Sequence, residues 1–163
     1  MSFEIVEMDK KYLGNTLEIY QWYVRNSTAT FQTHEPTLSE MVGLLFFTEE
    51  KYGSFALLEN GICVGYGIIT QFKAREAFDR TAEITIYLAE SATGKGYGGL
   101  VVAHLEGFAR NHNLHMLVAL VSGENTASFK LFERSGYSKC AHFHDAGNKF
   151  NRWIDLVCYE KKL

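Results

Sequence analysis

Four glycines, Gly94, Gly96, Gly98 and Gly99, crowd into six residues of this 163-residue chain, between an alternating run at Thr81–Ala89 and a helical run from Leu100. A glycine-rich junction between strand and helix lines up backbone N–H groups at the positive end of the helix dipole, where an anion binds. One or two glycines there would serve a tight turn. Four in six residues point instead to a phosphate group held by bare backbone. Gly94, Gly96 and Gly99 also satisfy G-x-G-x-x-G, the dinucleotide fingerprint. That fold buries its first strand on both faces of a parallel sheet, whereas Thr81, Glu83, Thr85 and Tyr87 give this strand a polar face. A nicotinamide-dinucleotide oxidoreductase is therefore the weaker reading. A Walker loop is excluded, because no Gly-Lys is followed by Ser or Thr.

Composition narrows the partner. With 47% apolar and only 21% charged residues, the chain can bury a full core, and its length fits a single domain over residues 1–163. A net charge of −3 and a pI near 6.1 supply no basic patch for nucleic acid or an anionic membrane. A small molecule is the expected ligand. No apolar run approaches the roughly 18 residues of a membrane helix, and Met1–Lys10 mixes Glu4, Glu7 and Asp9 with its apolar residues, unlike a secretion signal. Cys63, Cys140 and Cys158 are odd in number without CxxC spacing, as expected of reduced thiols in a cytoplasmic protein.

Periodicity supplies the elements. Phe3–Glu7 alternates as a strand, and Asp9 caps a helix whose Leu13, Leu17, Tyr20 and Val24 share one face and which stops near Asn26. A polar loop, Ser27–Pro36, surrounds Phe31, and Thr37 or Ser39 opens a second helix. Three strands follow at Ser54–Glu59, Ile62–Phe72 and Thr81–Ala89, the first two joined by the hairpin signal Asn60-Gly61. After the glycines come a helix, a strand at His115–Val121, and a short helix from Asn125 to Arg134 stopped by Gly136. Strands at Tyr137–His144 and Arg152–Lys161 close the chain. The order βααβββαβαββ predicts an α/β fold with a mixed, mostly antiparallel central sheet flanked by about four helices.

The segment from Thr81 to Gly99, Glu-Ile-Thr-Ile-Tyr-Leu running into Gly-Lys-Gly-Tyr-Gly-Gly, resembles the acetyl-CoA loop of the GNAT N-acetyltransferase superfamily. That family's pattern is Arg/Gln-x-x-Gly-x-Gly/Ala, and Thr93 departs from its first position. Further segments resemble the phosphinothricin N-acetyltransferase family: Ile19–Val24 with Asn26–Phe31, Lys73–Phe78, Glu124–Ser128 and Arg152–Asp155. Together they span nearly the whole chain in the family's order.

The resemblance implies an enzyme that moves an acetyl group from acetyl-CoA to the primary amine of a small amino-acid-like substrate, by direct attack in a ternary complex. Acetyl-CoA would lie along Ile86, Tyr87 and Leu88, with its diphosphate on Gly94, Lys95, Gly96, Tyr97, Gly98 and Gly99, and with Asn125 and Ser128 also at the cofactor. An N-cap for the following helix is the plainer role for Asn125. Glu83 would be the general base that accepts the amine's proton; alone, it would read as a solvated charge on a half-exposed strand. Phe31, Lys73, Arg75 and Phe78 would form the substrate pocket, Arg75 offering a fork to an anion. Phe132 stands where many relatives carry a tyrosine acid, so no side chain at this position is expected to protonate the thiolate. A non-catalytic acyl-CoA-binding regulator is the alternative. No metal site is expected: Cys140, His142 and His144 alternate along one strand face, but such neighbours lie about 7 Å apart. Family members are commonly dimers, and a homodimer through the C-terminal strands and Trp153 is expected.

Overall fold

Of the two candidates for the second helix Thr37 is the cap, whereas Asp9 caps a short turn ahead of the first helix rather than the helix itself. Asp9 accepts from Lys11 N and opens a short 3-10 turn that runs into helix α1 (Leu13–Asn26). Thr37 and Glu40 form a reciprocal capping box on α2 (Leu38–Leu45). The computed structural model describes residues 2–163. Its strands are β1 (Phe3–Glu7), β2 (Gly53–Glu59), β3 (Ile62–Gln71), β4 (Thr81–Leu88), β5 (Met116–Ser122), β6 (Ser138–Lys149) and β7 (Arg152–Lys162); α3 (Tyr97–Asn111) and α4 (Thr126–Arg134) complete the order. The strands form one sheet in the order β1-β2-β3-β4-β5-β7-β6, and only β4 and β5 pair in parallel. This is the mixed, mostly antiparallel sheet with four helices expected from the periodicities.

Two apolar layers sandwich the sheet. On one face, α3 contributes Val101, Val102 and Leu105, packed with Leu57, Ile69, Ile84, Leu117 and Tyr159. Gly67 lets α3 approach closely, since a Cβ there would stand 2.5 Å from Val101 Cγ1. On the other face, α1 and α2 bury Leu13, Val24, Met41 and Leu45 against Tyr66 of the same strand. The Asn60-Gly61 turn has φ of 51° and 81°, as a type I′ hairpin requires.

The C-terminal hairpin departs from expectation. β6 continues past His144 to Lys149, because its pairing with β7 is interrupted rather than ended: Phe143 faces Leu156 and Gly147 faces Ile154. Three residues of β6, His144 to Ala146, thus oppose only Asp155, with Asp145 in the left-handed region at φ 50°. A second shift falls between Lys139 and Ala141. Cys140 is therefore out of step with His142 and His144, and the three do not share one regular face.

Candidate active site

β4 and β5 pair only from Thr81 to Glu83, and beyond Glu83 they part. Ala89 N donates to Val64 O on the β3 side. By strand alternation the N–H and C=O groups of Ile86 and Leu88 face the opening gap. Leu88 O accepts there from Tyr23 Oη at 2.7 Å. The gap is the floor of a cleft of about 2160 Å³, lined on β4 by Glu83, Ile86, Tyr87 and Leu88. Its size exceeds the roughly 300–1,000 Å³ of ordinary small-ligand pockets and suits a long, extended ligand meeting a second one.

At one end lies the glycine loop. Gly94, Gly96, Gly98 and Gly99 line the cleft, and Gly94 and Gly96 occupy the left-handed region at φ 74° and 83°. A Cβ on Gly98 would stand 3.1 Å from Leu131 of α4, whereas one on Gly99 would meet nothing within 4 Å. The first glycine serves helix packing and the second keeps the cleft open. Lys95 and Tyr97 turn their side chains away: both donate to Glu59 on β2, at 2.9 and 2.5 Å, so only their backbone is available to an anion. Lys130 and Arg134, one turn apart on α4, add positive charge to the cleft wall.

Asn125 caps α4, its side chain accepting from Ser128 N at 3.1 Å, and both residues line the cleft. Phe132 lines it too, packed edge-on against Tyr137 at 5.2 Å and bringing no hydroxyl. Glu83 is half-buried, and desolvation raises its carboxyl above the usual range while the charge of Lys73 opposes the shift. A base of raised pKa, at the point where the strands part, is suited to taking a proton from an amine.

The expected substrate residues divide. Phe31 lines the cleft and packs over Gly147, where a Cβ would stand 3.1 Å from its ring. Lys73, Arg75 and Phe78 are exposed and lie outside the cleft lining, though Lys73 is near enough to act on Glu83; Phe78 packs edge-on against Phe72 at 6.0 Å.

Several residues in and beside the cleft are given no site role by the sequence. Glu124 accepts from Thr28 Oγ1 and from Arg152 Nη2, each at 2.9 Å, and Ser122 Oγ donates to Thr28 at 3.2 Å. The guanidinium of Arg152 and the hydroxyl of Thr28 hold the Glu124 carboxyl below its usual range. Lys149 is only 4% exposed and has no carboxylate partner among the described residues; its ammonium donates to Ser27 O at 2.7 Å and Thr30 O at 2.9 Å. It pins the loop bearing Thr28 and Phe31 to the end of β6. Next to it, Phe150 lines the cleft in the left-handed region at φ 54°, a conformation rare for a bulky residue.

Comparison with known proteins agrees with this geometry. The acetyltransferase (GNAT) domain family model matches residues 6–158. A phosphinothricin N-acetyltransferase of Streptomyces coelicolor is 31% identical over 97% of this chain and 93% of its own. A methionine sulfoximine/methionine sulfone acetyltransferase of Pseudomonas aeruginosa is 30% identical over 100% and 96%. The crystal structure of a phosphinothricin acetyltransferase from Sinorhizobium meliloti in complex with acetyl-CoA superposes with a TM-score of 0.94 at 26% identity, over 100% of this chain and 89% of that one. By sequence and fold alike, the chain belongs to the GNAT family of N-acetyltransferases.

Proposed function

We propose that the protein transfers the acetyl group of acetyl-CoA to the primary amine of a small amino-acid-like compound of the phosphinothricin or methionine sulfoximine type, by direct attack in a ternary complex. The observation that carries this reading is the parting of β4 from β5 immediately after Glu83. It places unpaired strand backbone, a glycine-lined helix start and a half-buried carboxylate along one cleft. The amides of a pantetheine arm pair with the gap-facing N–H and C=O of Ile86 and the N–H of Leu88, whose carbonyl Tyr23 already holds, as an added strand would. The diphosphate sits on the backbone from Gly94 to Gly99, with Lys130 and Arg134 balancing its charge. Asn125 and Ser128 border the arm near the reacting end.

In this reading Glu83 accepts the proton of the amine, directly or through water, as the nitrogen attacks the thioester carbonyl. The tetrahedral oxyanion forms beside the Tyr87–Leu88 backbone, where an amide donor stabilises it. Collapse breaks the C–S bond and releases coenzyme A. Phe132 supplies no proton, so the thiolate takes its proton from solvent. Phe31 walls the amine pocket; Lys73, Arg75 and Phe78 lie outside the cleft lining and meet the substrate's anionic group only from its rim, Lys73 being near enough to act on Glu83. No helix among the described residues is long and apolar enough to cross a membrane, and the three cysteines are unpaired; a cytoplasmic location follows from the same reading. A homodimer through the exposed aromatic side chains of the C-terminal hairpin, Phe143 and Trp153, completes it.

Thermal melting tests the cofactor assignment. Acetyl-CoA at 100 times its Kd contributes about 2.7 kcal/mol, raising the midpoint of a domain this size by about 5–10 °C, while NAD leaves it unchanged. Stabilisation by NAD and not by acetyl-CoA contradicts the proposal.

A further inference from the structure

The interruption between β6 and β7 has gathered three metal-ligating side chains outside the cleft. In a regular strand His142 and His144 would project about 7 Å apart. Here the three-against-one bulge around Asp155, turned by the left-handed Asp145, folds the second imidazole over the first. The rings stack with centroids 4.2 Å apart and planes 9° apart. Asp155 projects from β7 toward them, and His142 Nε2 lies 2.8 Å from its Oδ2. The ligand atoms of His142, His144 and Asp155 all lie within 4.8 Å of one another. No other such group of three or more His, Cys, Asp or Glu occurs among the described residues.

We propose that His142, His144 and Asp155 form a binding site for a divalent transition-metal ion of the zinc type. Two imidazole nitrogens and one carboxylate oxygen suit zinc, cobalt or nickel far better than magnesium or calcium, which prefer all-oxygen shells. Three protein ligands leave one tetrahedral position open to water or a small ligand. Bonds of about 2.0–2.2 Å bring tetrahedral ligand atoms to roughly 3.3 Å separation. The side chains must therefore close in from their present spacing, and the two imidazoles must turn out of their parallel stack so that both ring planes point at the ion; both histidines are exposed, which leaves room for that rotation.

The second coordination partners are in place as well. Asp155 Oδ1 accepts from Asp145 N at 2.9 Å, which fixes the carboxylate while leaving Oδ2 facing the imidazoles. Lys139 Nζ lies 3.0 Å from His142 Nδ1, which marks that nitrogen as an acceptor and Nε2 as the proton-bearing atom aimed at Asp155. A metal ion takes the place of the Nε2 proton, the proton moves to Nδ1, and the exposed Lys139 swings out. Cys140 is not part of the site; its thiol donates to Cys158 O at 3.4 Å.

Calorimetric titration of the metal-stripped protein with zinc chloride and cobalt chloride tests the site without reference to acetyl transfer. Saturable binding of one ion per chain is expected, weakened at least about tenfold by His142→Ala, by His144→Ala and by Asp155→Asn, and unchanged by Cys140→Ala. His144→Gln, which keeps size and polarity, repeats the loss independently of any folding defect in the alanine variants. Binding that survives both histidine substitutions, binding lost with Cys140→Ala, or the absence of saturable binding by the wild type overturns the proposal.

Discussion

Glu83 owes its chemistry to the residue after which β4 and β5 stop pairing. One position earlier in the strand, at Ala82, a carboxylate would point into the α3 layer; two positions on from Thr85, at Tyr87, it would enter the packed α1–α2 layer. Half-burial raises its pKa, and the sign of the consequence for stability is fixed. The folded state binds this proton more tightly than the unfolded chain, so the stabilisation is complete at low pH and is lost as pH rises through the raised value. At neutral pH the ionised carboxylate costs stability. Glu83→Gln is therefore expected to melt no lower than the wild type at pH 7 while its acetyl-transfer rate falls by about 10²–10⁴-fold. The acid limb of the wild-type pH–rate profile, displaced upward from that of an ordinary glutamate, disappears in the variant. A variant that keeps both its rate and its acid limb contradicts the assignment of Glu83 as base.

Not every site residue is legible at this scale. Lys149 reads in the sequence as one more surface cation; only the fold reveals it buried against two carbonyls of a loop about 120 positions away. Glu124, Thr28 and Arg152 are likewise brought together by tertiary structure alone, because no local pattern encodes a contact between residues 96 or 28 positions apart.

The glycine loop and the helix behind it were legible as elements because four small residues in six leave few alternatives. The division of labour among them was not. Gly98 and Gly99 are neighbours on α3, yet a side chain at the first meets Leu131 and at the second enters open cleft. Gly98→Val is expected to lower the melting midpoint. Gly99→Val is expected to leave it nearly unchanged and to weaken acetyl-CoA by at least about tenfold, a change of about 1.4 kcal/mol. Equal effects of the two substitutions on melting and on binding would show that the loop serves packing alone. The end of β6 was hidden for a different reason. Strand alternation assumes unbroken pairing, and the bulges at Cys140 and at His144–Ala146 break it. The same irregularity invalidated the 7 Å separation that argued against the two histidines meeting.

Across the whole molecule, the order of elements and the sheet type follow from the periodicities, while the cleft follows from a single topological fact, the brief parallel contact between β4 and β5 in an otherwise antiparallel sheet. A parallel pair that diverges at once leaves backbone groups that must find partners elsewhere. One is already taken by Tyr23, and the others define the length and polarity of the ligand. This architecture serves equally an enzyme and a protein that only senses acyl-CoA, since both need the same cradle. What separates them is turnover. The decisive measurement is thiol release from acetyl-CoA with phosphinothricin, methionine sulfoximine and common amino acids offered as amines. The account predicts amine-dependent release of coenzyme A with at least one compound of the first two types. Stabilisation of the protein by acetyl-CoA with no amine-dependent release from any of them would contradict it.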